Sequence, residues 1–344
     1  MDTIQIKLEL NYIGLTMEDF KRIETFINHI KSPYGHTFCD MLDIRGTRSI
    51  GIKISYPRFF YGSNVFLITT KEQCFEVQRW FSETIENMMI LIGARISLER
   101  VDIPFTYIMP PDYDFYSYNK LYGIMAMVHA EKRIKGSRKM YADILTQRPE
   151  TLIYTDTKTP SSYNNKVMIY NQFLNVEAKV DSEETLNMFL NKYPDLQYRM
   201  RIEVSKKIRR NPFSIVDFGN FDMIGVYLSQ LKETALENLL DFQIIDNIYQ
   251  NEAIQLANIL NIERQRSGFN YEVFILQNIS KIYDYEILRR ALGLAVDNTK
   301  TRESAVTAVR RHLNSYSQMN NIIVMDVYAR LRDIKKSIEQ FHIY

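Results

Sequence analysis

The chain has 344 residues, of which 46% are apolar and 24% charged, and its 23 tyrosines and 19 phenylalanines exclude an intrinsically disordered protein. Its 43 basic and 41 acidic residues leave a formal charge of +2, so any attraction to nucleic acid has to come from local basic patches and not from a global field. Cys39 and Cys74 match no zinc spacing and are too few for a secreted disulfide scaffold, and no apolar run approaches the roughly 20 residues that span a bilayer, which together predict a cytoplasmic protein with no membrane partner.

At this length two domains are expected, and a change of hydrophobic period places the boundary near residue 220. Up to that point strands alternate with helices. DTIQIKLEL reads as a strand, MEDFKRIETFINHI as a helix, SIGIKISYP as a strand, and EQCFEVQRWFSETIENMMILIG as a long helix closed by Gly93. RISLERVDIPFTYI is a strand, SYNKLYGIMAMVHAEKRI a helix, and TLIYTD, KVMIYNQF and YRMRIEVSKKI are three further strands. NPFSIVDFGNFD reads as a connector, and from Ile224 onward helical spacing runs almost unbroken. The expected domains are therefore 1–220, α+β with antiparallel strands, and 221–344, all helical.

Strand periodicity decides which side chains share a face. In RVDIPF, Val101, Ile103 and Phe105 point one way and Asp102 the other. In RMRIEV, Met200, Ile202 and Val204 form the apolar row, opposite Arg201 and Glu203. In KVMIYN, Val167 and Ile169 share one face, while Met168 and Tyr170 take the other. If these three strands are neighbours, two carboxylates and one phenol converge. Two carboxylates are a donor set for Mg²⁺ or Mn²⁺, and a tyrosine beside a metal-bound phosphate can attack phosphorus, leaving a 5′-phosphotyrosine link and a free 3′-OH. Taken singly, a strand tyrosine is more often packing than chemistry, and Asp102 or Glu203 alone is more often a solvated residue or the partner of a cross-strand arginine.

In order and local wording the sequence resembles the filamentous-phage and plasmid replication initiators of the gene II/X type, which are rolling-circle nicking enzymes. The likeness covers residues 1–215 through MDTIQIKLEL, ISYPRFFYGSNVFLI, SLERVDIPFTY, the segment from ETLIYTD to NQFLNVEA, and YRMRIEVSKKI. It implies a five-stranded antiparallel sheet with helices on one face, a nicking tyrosine at Tyr170, acidic site residues at Asp102 and Glu203, and a Gly-x-Asn-Val turn containing Asn64. Single-stranded or supercoiled origin DNA, with host helicase and polymerase, would be the partners in a bacterial cell. Two positions depart from the pattern. The histidine before Asn-Val is Ser63, and the lysine two residues after the tyrosine is Gln172, leaving Lys166 as the in-phase cation on that strand face. The five histidines show no His-hydrophobe-His pair, so any metal here leans on carboxylates. A conjugative relaxase, or an origin-binding protein that lost cleavage, are the alternatives.

Lys206, Lys207, Arg209 and Arg210 follow the acidic strand and are candidate phosphate contacts, as is Arg201. Tyr154 and Tyr163 are candidate stacking residues for unpaired bases, and Tyr163, in the polar link SSYNNK, is the second candidate nucleophile. In the tail, YEILRRALGL and ESAVTAVRRHL read as helix, turn, helix, capped by Thr301 or Ser304, with Arg289, Arg290, Arg302, Arg310 and Arg311 on polar faces. Such a pair can enter a major groove, or simply build a helical bundle.

Overall fold

The structure, a computed structural model, describes all residues except 13, 47, 111–114, 132–136, 143–148, 158–161, 181, 210, 211, 279, 280, 283 and 321–325. Nine strands form one sheet: β1 (Thr3–Glu9), β2 (Cys39–Ile44), β3 (Ser49–Ser55), β4 (Arg95–Ile108), β5 (Ser137–Ala142), β6 (Pro149–Thr155), β7 (Asn165–Asn171), β8 (Arg199–Lys207) and the two-residue β9 (Phe213–Ser214). Eight run in the order β2-β3-β1-β4-β8-β7-β6-β5, every pair antiparallel, and β9 adds to β4. The sheet is thus larger than the expected five strands. The additions are short or weakly patterned: in β2, the acidic CDMLDI, only Cys39 is buried, so alternation leaves no trace of it.

The helices are α1 (Met17–His29), α2 (Tyr56–Tyr61), α3 (Lys71–Glu86), α4 (Phe115–Glu131), α5 (Gln172–Glu177), α6 (Glu183–Lys192), α7 (Ile215–Gly219), α8 (Met223–Leu239), α9 (Phe242–Arg264), α10 (Tyr271–Asn278), α11 (Tyr285–Ala295), α12 (Thr299–Asn320) and α13 (Val327–Gln340). Thr16 and Thr70 start α1 and α3 through reciprocal capping boxes with Asp19 and Gln73, which satisfy backbone N–H groups a helix start leaves open. The expected long helix ending at Gly93 stops instead at Glu86, and a 3₁₀ turn at Met89–Leu91 precedes that glycine.

Two compact units result: Met1–Pro110 with Lys135–Ala235 and Ile338–Tyr344, and Pro111–Ile134 with Leu236–Ser337. A single cut after residue 220 does not describe this division, because α4 belongs with the later helices and the NPFSIVDFGNFD segment forms β9 and α7 of the sheet unit.

In the sheet unit one face is aliphatic. Ile4, Ile6, Ile52, Ile54, Val101, Ile103, Ile202, Val204, Val167 and Ile169 are all buried, each contributing about 1.5–3 kcal/mol by leaving water. Helices are not confined to one face. Residues 65 and 66 form a second apolar cluster with α5, α6 and Leu196, and the carbonyl of Asn64 accepts a hydrogen bond from Arg201 on the opposite, polar face. In the second unit, α4 and α11 pack on α9, and α12 packs on α10 and α11.

Candidate active site

The register fixes the polar face. Tyr170 of β7 lies opposite Arg201 of β8, which lies opposite Thr106 of β4. One step along, Met168, Glu203 and Pro104 are in line, and after them Lys166, Ser205 and Asp102, with Thr3 of β1 beyond Asp102. The strand order β4-β8-β7 therefore brings Asp102, Glu203 and Tyr170 to one face, as the period of two implied.

Tyr170 Oη donates to Glu203 Oε2 at 3.1 Å. The tyrosine is 8% exposed, and burial pushes its phenol far above the ordinary value, with Arg201 opposing the shift. Burial likewise raises Glu203 to about 7, helped by repulsion from Asp2 and Asp102 and opposed by Arg201 and Lys166. Asp102 is raised by burial, although Arg100 donates to its Oδ2 at 2.7 Å.

Arg201 is 2% exposed, and its guanidinium holds the cluster together. Nη1 donates to the Asn64 carbonyl at 3.0 Å, and Nη2 stands 3.5 Å from Asp2 Oδ1. Nε and Nη2 make no hydrogen bond, nor do Asp2 Oδ1 and Asp102 Oδ1. Asp2 was invisible in the sequence. It precedes the alternating run and reaches the cluster because its N–H donates to the Asp102 carbonyl and its own carbonyl accepts from Tyr56.

A cleft of about 260 Å³ opens beside Arg201, lined also by Arg58, Ser63, Asn64, Gln172, Asn175 and Lys179. Gly62, at φ +70°, ends α2 in the left-handed conformation and turns the chain into Ser63–Val65, which is the Gly-x-Asn-Val turn expected around Asn64. Ser55 Oγ donates to Asn64 Oδ1. Gln172 is no strand residue. Asn171 accepts from the N–H groups of Phe173 and Leu174, so the strand stops there and α5 begins. Gln172 is 1% exposed, and its Nε2 donates to the carbonyls of Asn64 and Val65 while Oε1 has no hydrogen bond. The amide therefore fastens the 63–65 turn over the cluster.

The other sequence candidates are scattered. Lys166 shares the face of Tyr170, and Lys207 continues the row of Ser205, but Lys206 pairs with Val101 and belongs to the aliphatic face. Tyr163 does not swing freely: it is 7% exposed, with Lys207 Nζ 4.7 Å and Lys166 Nζ 5.5 Å from its ring centre, and burial raises its phenol against the pull of Arg100. Tyr154, 2% exposed, offers no ring face to a base. Arg209 is exposed past the strand end, and Arg210 lies outside the described residues.

In the second unit α11 and α12 form the expected helix pair, with Asn298 as the α12 cap in place of Thr301 or Ser304. Its arginines are largely occupied. Arg289 and Arg290 grip Glu286, Arg290 also reaches Asp246, Arg302 bonds Thr299, and Arg310 sits 4.8 Å over the Tyr285 ring. Arg311 is exposed.

Among the described residues no three His, Cys, Asp or Glu side chains form a ready metal cage. A hard divalent cation often takes only one or two carboxylates and keeps its waters, and the buried, unpaired Asp102 Oδ1 beside the mutually repelling Glu203 fits that donor set.

No known protein family's sequence profile matches the chain, and no curated protein does. Among solved structures the chain is similar to a rolling circle replication initiator protein from Geobacillus stearothermophilus, at 12% identity, over 75% of this chain and 82% of that one, with a TM-score of 0.29.

Proposed function

We propose that the sheet unit is a DNA nicking and joining enzyme that initiates rolling-circle replication, with Tyr170 as its nucleophile. The observation that carries this reading is the hydrogen bond from Tyr170 to Glu203 beside a buried guanidinium with unused donors. A nucleophile held by its base, next to a cation for the attacked group, is the minimum a phosphoryl transfer requires.

In this reading a DNA phosphodiester enters the cleft that Arg201 lines, and Arg201 Nε–H, which makes no hydrogen bond, donates to a non-bridging oxygen. Tyr170 Oη bonds to phosphorus as its proton passes to Glu203, and the P–O3′ bond breaks. The 3′ oxygen takes that proton from Glu203 and leaves as a hydroxyl, and the 5′ phosphate stays on the tyrosine. Joining runs the same steps backward. Asp102 and Glu203 would hold Mg²⁺ or Mn²⁺, which when bound polarises a phosphate oxygen. Lys166 and Lys207 lie on the same face for flanking phosphates. The helical unit would help select the origin, with host helicase and polymerase acting afterwards.

A second reading, a DNA-binding protein in which the cluster is a satisfied polar core, is favoured by the 8% exposure of Tyr170 and its raised phenol. Incubating the protein with single-stranded origin DNA of its own replicon and Mn²⁺ separates the two. A covalent adduct on a denaturing gel that disappears in Tyr170→Phe supports the nickase. Tight binding without an adduct supports the second reading.

A further inference from the structure

The sequence put its stacking residues at Tyr154 and Tyr163, and the fold buries both. An aromatic cleft of about 410 Å³ opens elsewhere on the sheet unit, lined by Tyr61, Phe66, Thr106, Ile108, Tyr193 and Arg199 among others. We propose that this cleft is a stacking subsite for one unpaired nucleobase of the strand that Tyr170 attacks. The proposal rests on the nicking reading and adds to it where a neighbouring base is held.

Four observations carry it. First, the rings are close and partly open: Phe66 lies 4.6 Å from Tyr61 and 4.4 Å from Tyr193 between ring centres. Tyr61 is 37% exposed and Ile108 at the mouth is 55% exposed, so the cleft opens to solvent on both of these sides. Second, two cations stand at the cleft, where the phosphates flanking a bound base would pass. Exposed Lys192 holds its Nζ 5.5 Å from the centres of both Phe66 and Tyr193, and Arg199 lies 5.7 Å over Tyr193, fixed there by Asp195 and the Val65 carbonyl. Third, Thr106 Oγ1 in the cleft is buried and has no hydrogen-bond partner, a group free for a base edge. Fourth, Thr106, Arg201 and Tyr170 stand in one cross-strand row, so the cleft floor is about 10 Å from Tyr170, two strand spacings away. A purely apolar peptide side chain would use the rings but neither the lysine nor the hydroxyl, which favours a nucleotide as the occupant.

The test compares a single-stranded oligothymidylate with an abasic strand of the same length and charge, read by fluorescence anisotropy. The Tyr61→Ala/Tyr193→Ala variant is expected to lose roughly 5- to 100-fold in affinity for the base-bearing strand and nothing for the abasic one. Tyr61→Phe, which keeps the ring, should bind like the wild type. In the unmutated protein, an oligonucleotide carrying 5-iodouracil should photocrosslink to Tyr61, Phe66 or Tyr193. Equal affinities in variant and wild type, equal losses for both strands, or crosslinks confined to other segments would overturn the subsite while leaving the nickase intact. If wild type binds neither strand, the nucleic-acid reading itself falls and the subsite falls with it.

Discussion

Tyr170 and Glu203 bond across the β7–β8 pair although neither is the other's register partner. Tyr170 sits opposite Arg201 and Glu203 opposite Met168, so the phenol leans diagonally along the sheet to reach the carboxylate at 3.1 Å. Diagonal neighbours on one sheet face are within reach of a long aromatic side chain, and Arg201 fills the space directly opposite.

Removing only the hydroxyl tests that contact. Tyr170→Phe keeps the ring that fills the site and loses one charge-assisted hydrogen bond, so its stability should fall by about 1–3 kcal/mol, or less because Glu203 is then free to protonate. The fold should survive, as read by circular dichroism and the urea midpoint, while covalent adduct formation with DNA is lost. A variant that still forms the adduct would move the nucleophile elsewhere.

Gln172 gives a prediction of its own, because the resemblance in the sequence expects lysine there. The side chain is buried against two carbonyls of the 63–65 turn. Gln172→Ala removes one donor from each carbonyl, which Arg201 and Arg199 still serve, and leaves a void, so it should cost about 1–3 kcal/mol and loosen the turn that caps Arg201. Gln172→Lys can donate to the same carbonyls but buries an ammonium, and should be destabilised as well. Thermal denaturation of the two variants checks both, and an unchanged midpoint in Gln172→Ala would contradict the fastening role.

Much of this arrangement was legible in the sequence, and the reason is the period of two. Once Val101, Ile202 and Val167 face a core, Asp102, Glu203 and Met168 have to face away, and Tyr170 keeps the phase of Met168. What the period does not contain is strand order. That β8 inserts between β4 and β7 is a long-range pairing that no local propensity encodes, and in the sequence it stands only as a condition. Asp2 and the closing role of Gln172 were hidden for a related reason: both act through backbone groups of distant segments, Asp102 and the 64–65 turn, which no local pattern predicts. Tyr163 misled because a polar link suggests a mobile loop, whereas Lys207 and Lys166 stand over its ring and Arg100 bonds its phenol.

The carboxylate pair predicts how the protein takes a cation. Asp102→Asn and Glu203→Gln each remove a charge from the proposed donor set, so each should weaken Mn²⁺ binding by tenfold or more, measured by calorimetry or electron spin resonance on the isolated protein. Asp43→Asn, an exposed acid bound to Arg45, should leave Mn²⁺ binding unchanged. Equal affinity in all three would remove the metal from this site.

The last prediction concerns Asp284 in the helical unit and the direction in which acid acts on it. Asp284 is 1% exposed, caps α11 through the Glu286 N–H, and accepts from Tyr249 Oη at 2.7 Å and the Tyr328 N–H at 2.8 Å. Burial nevertheless outweighs these bonds and lifts its carboxyl to about 6, above the unfolded value near 4. Between those values the folded state holds a proton that the unfolded state has released. Stability from this group is therefore present below about pH 4, declines as pH rises, and is fully lost above about pH 6, a difference on the order of 3 kcal/mol. Urea unfolding of the whole chain, followed at pH 4.5, 5.5 and 7 by probes in α11, should show the helical unit losing about 2 kcal/mol of that stability along this series relative to Asp284→Asn, in which the titration is gone. If the difference between wild type and variant does not change with pH, Asp284 is ionised throughout and its three hydrogen bonds outweigh the cost of burial.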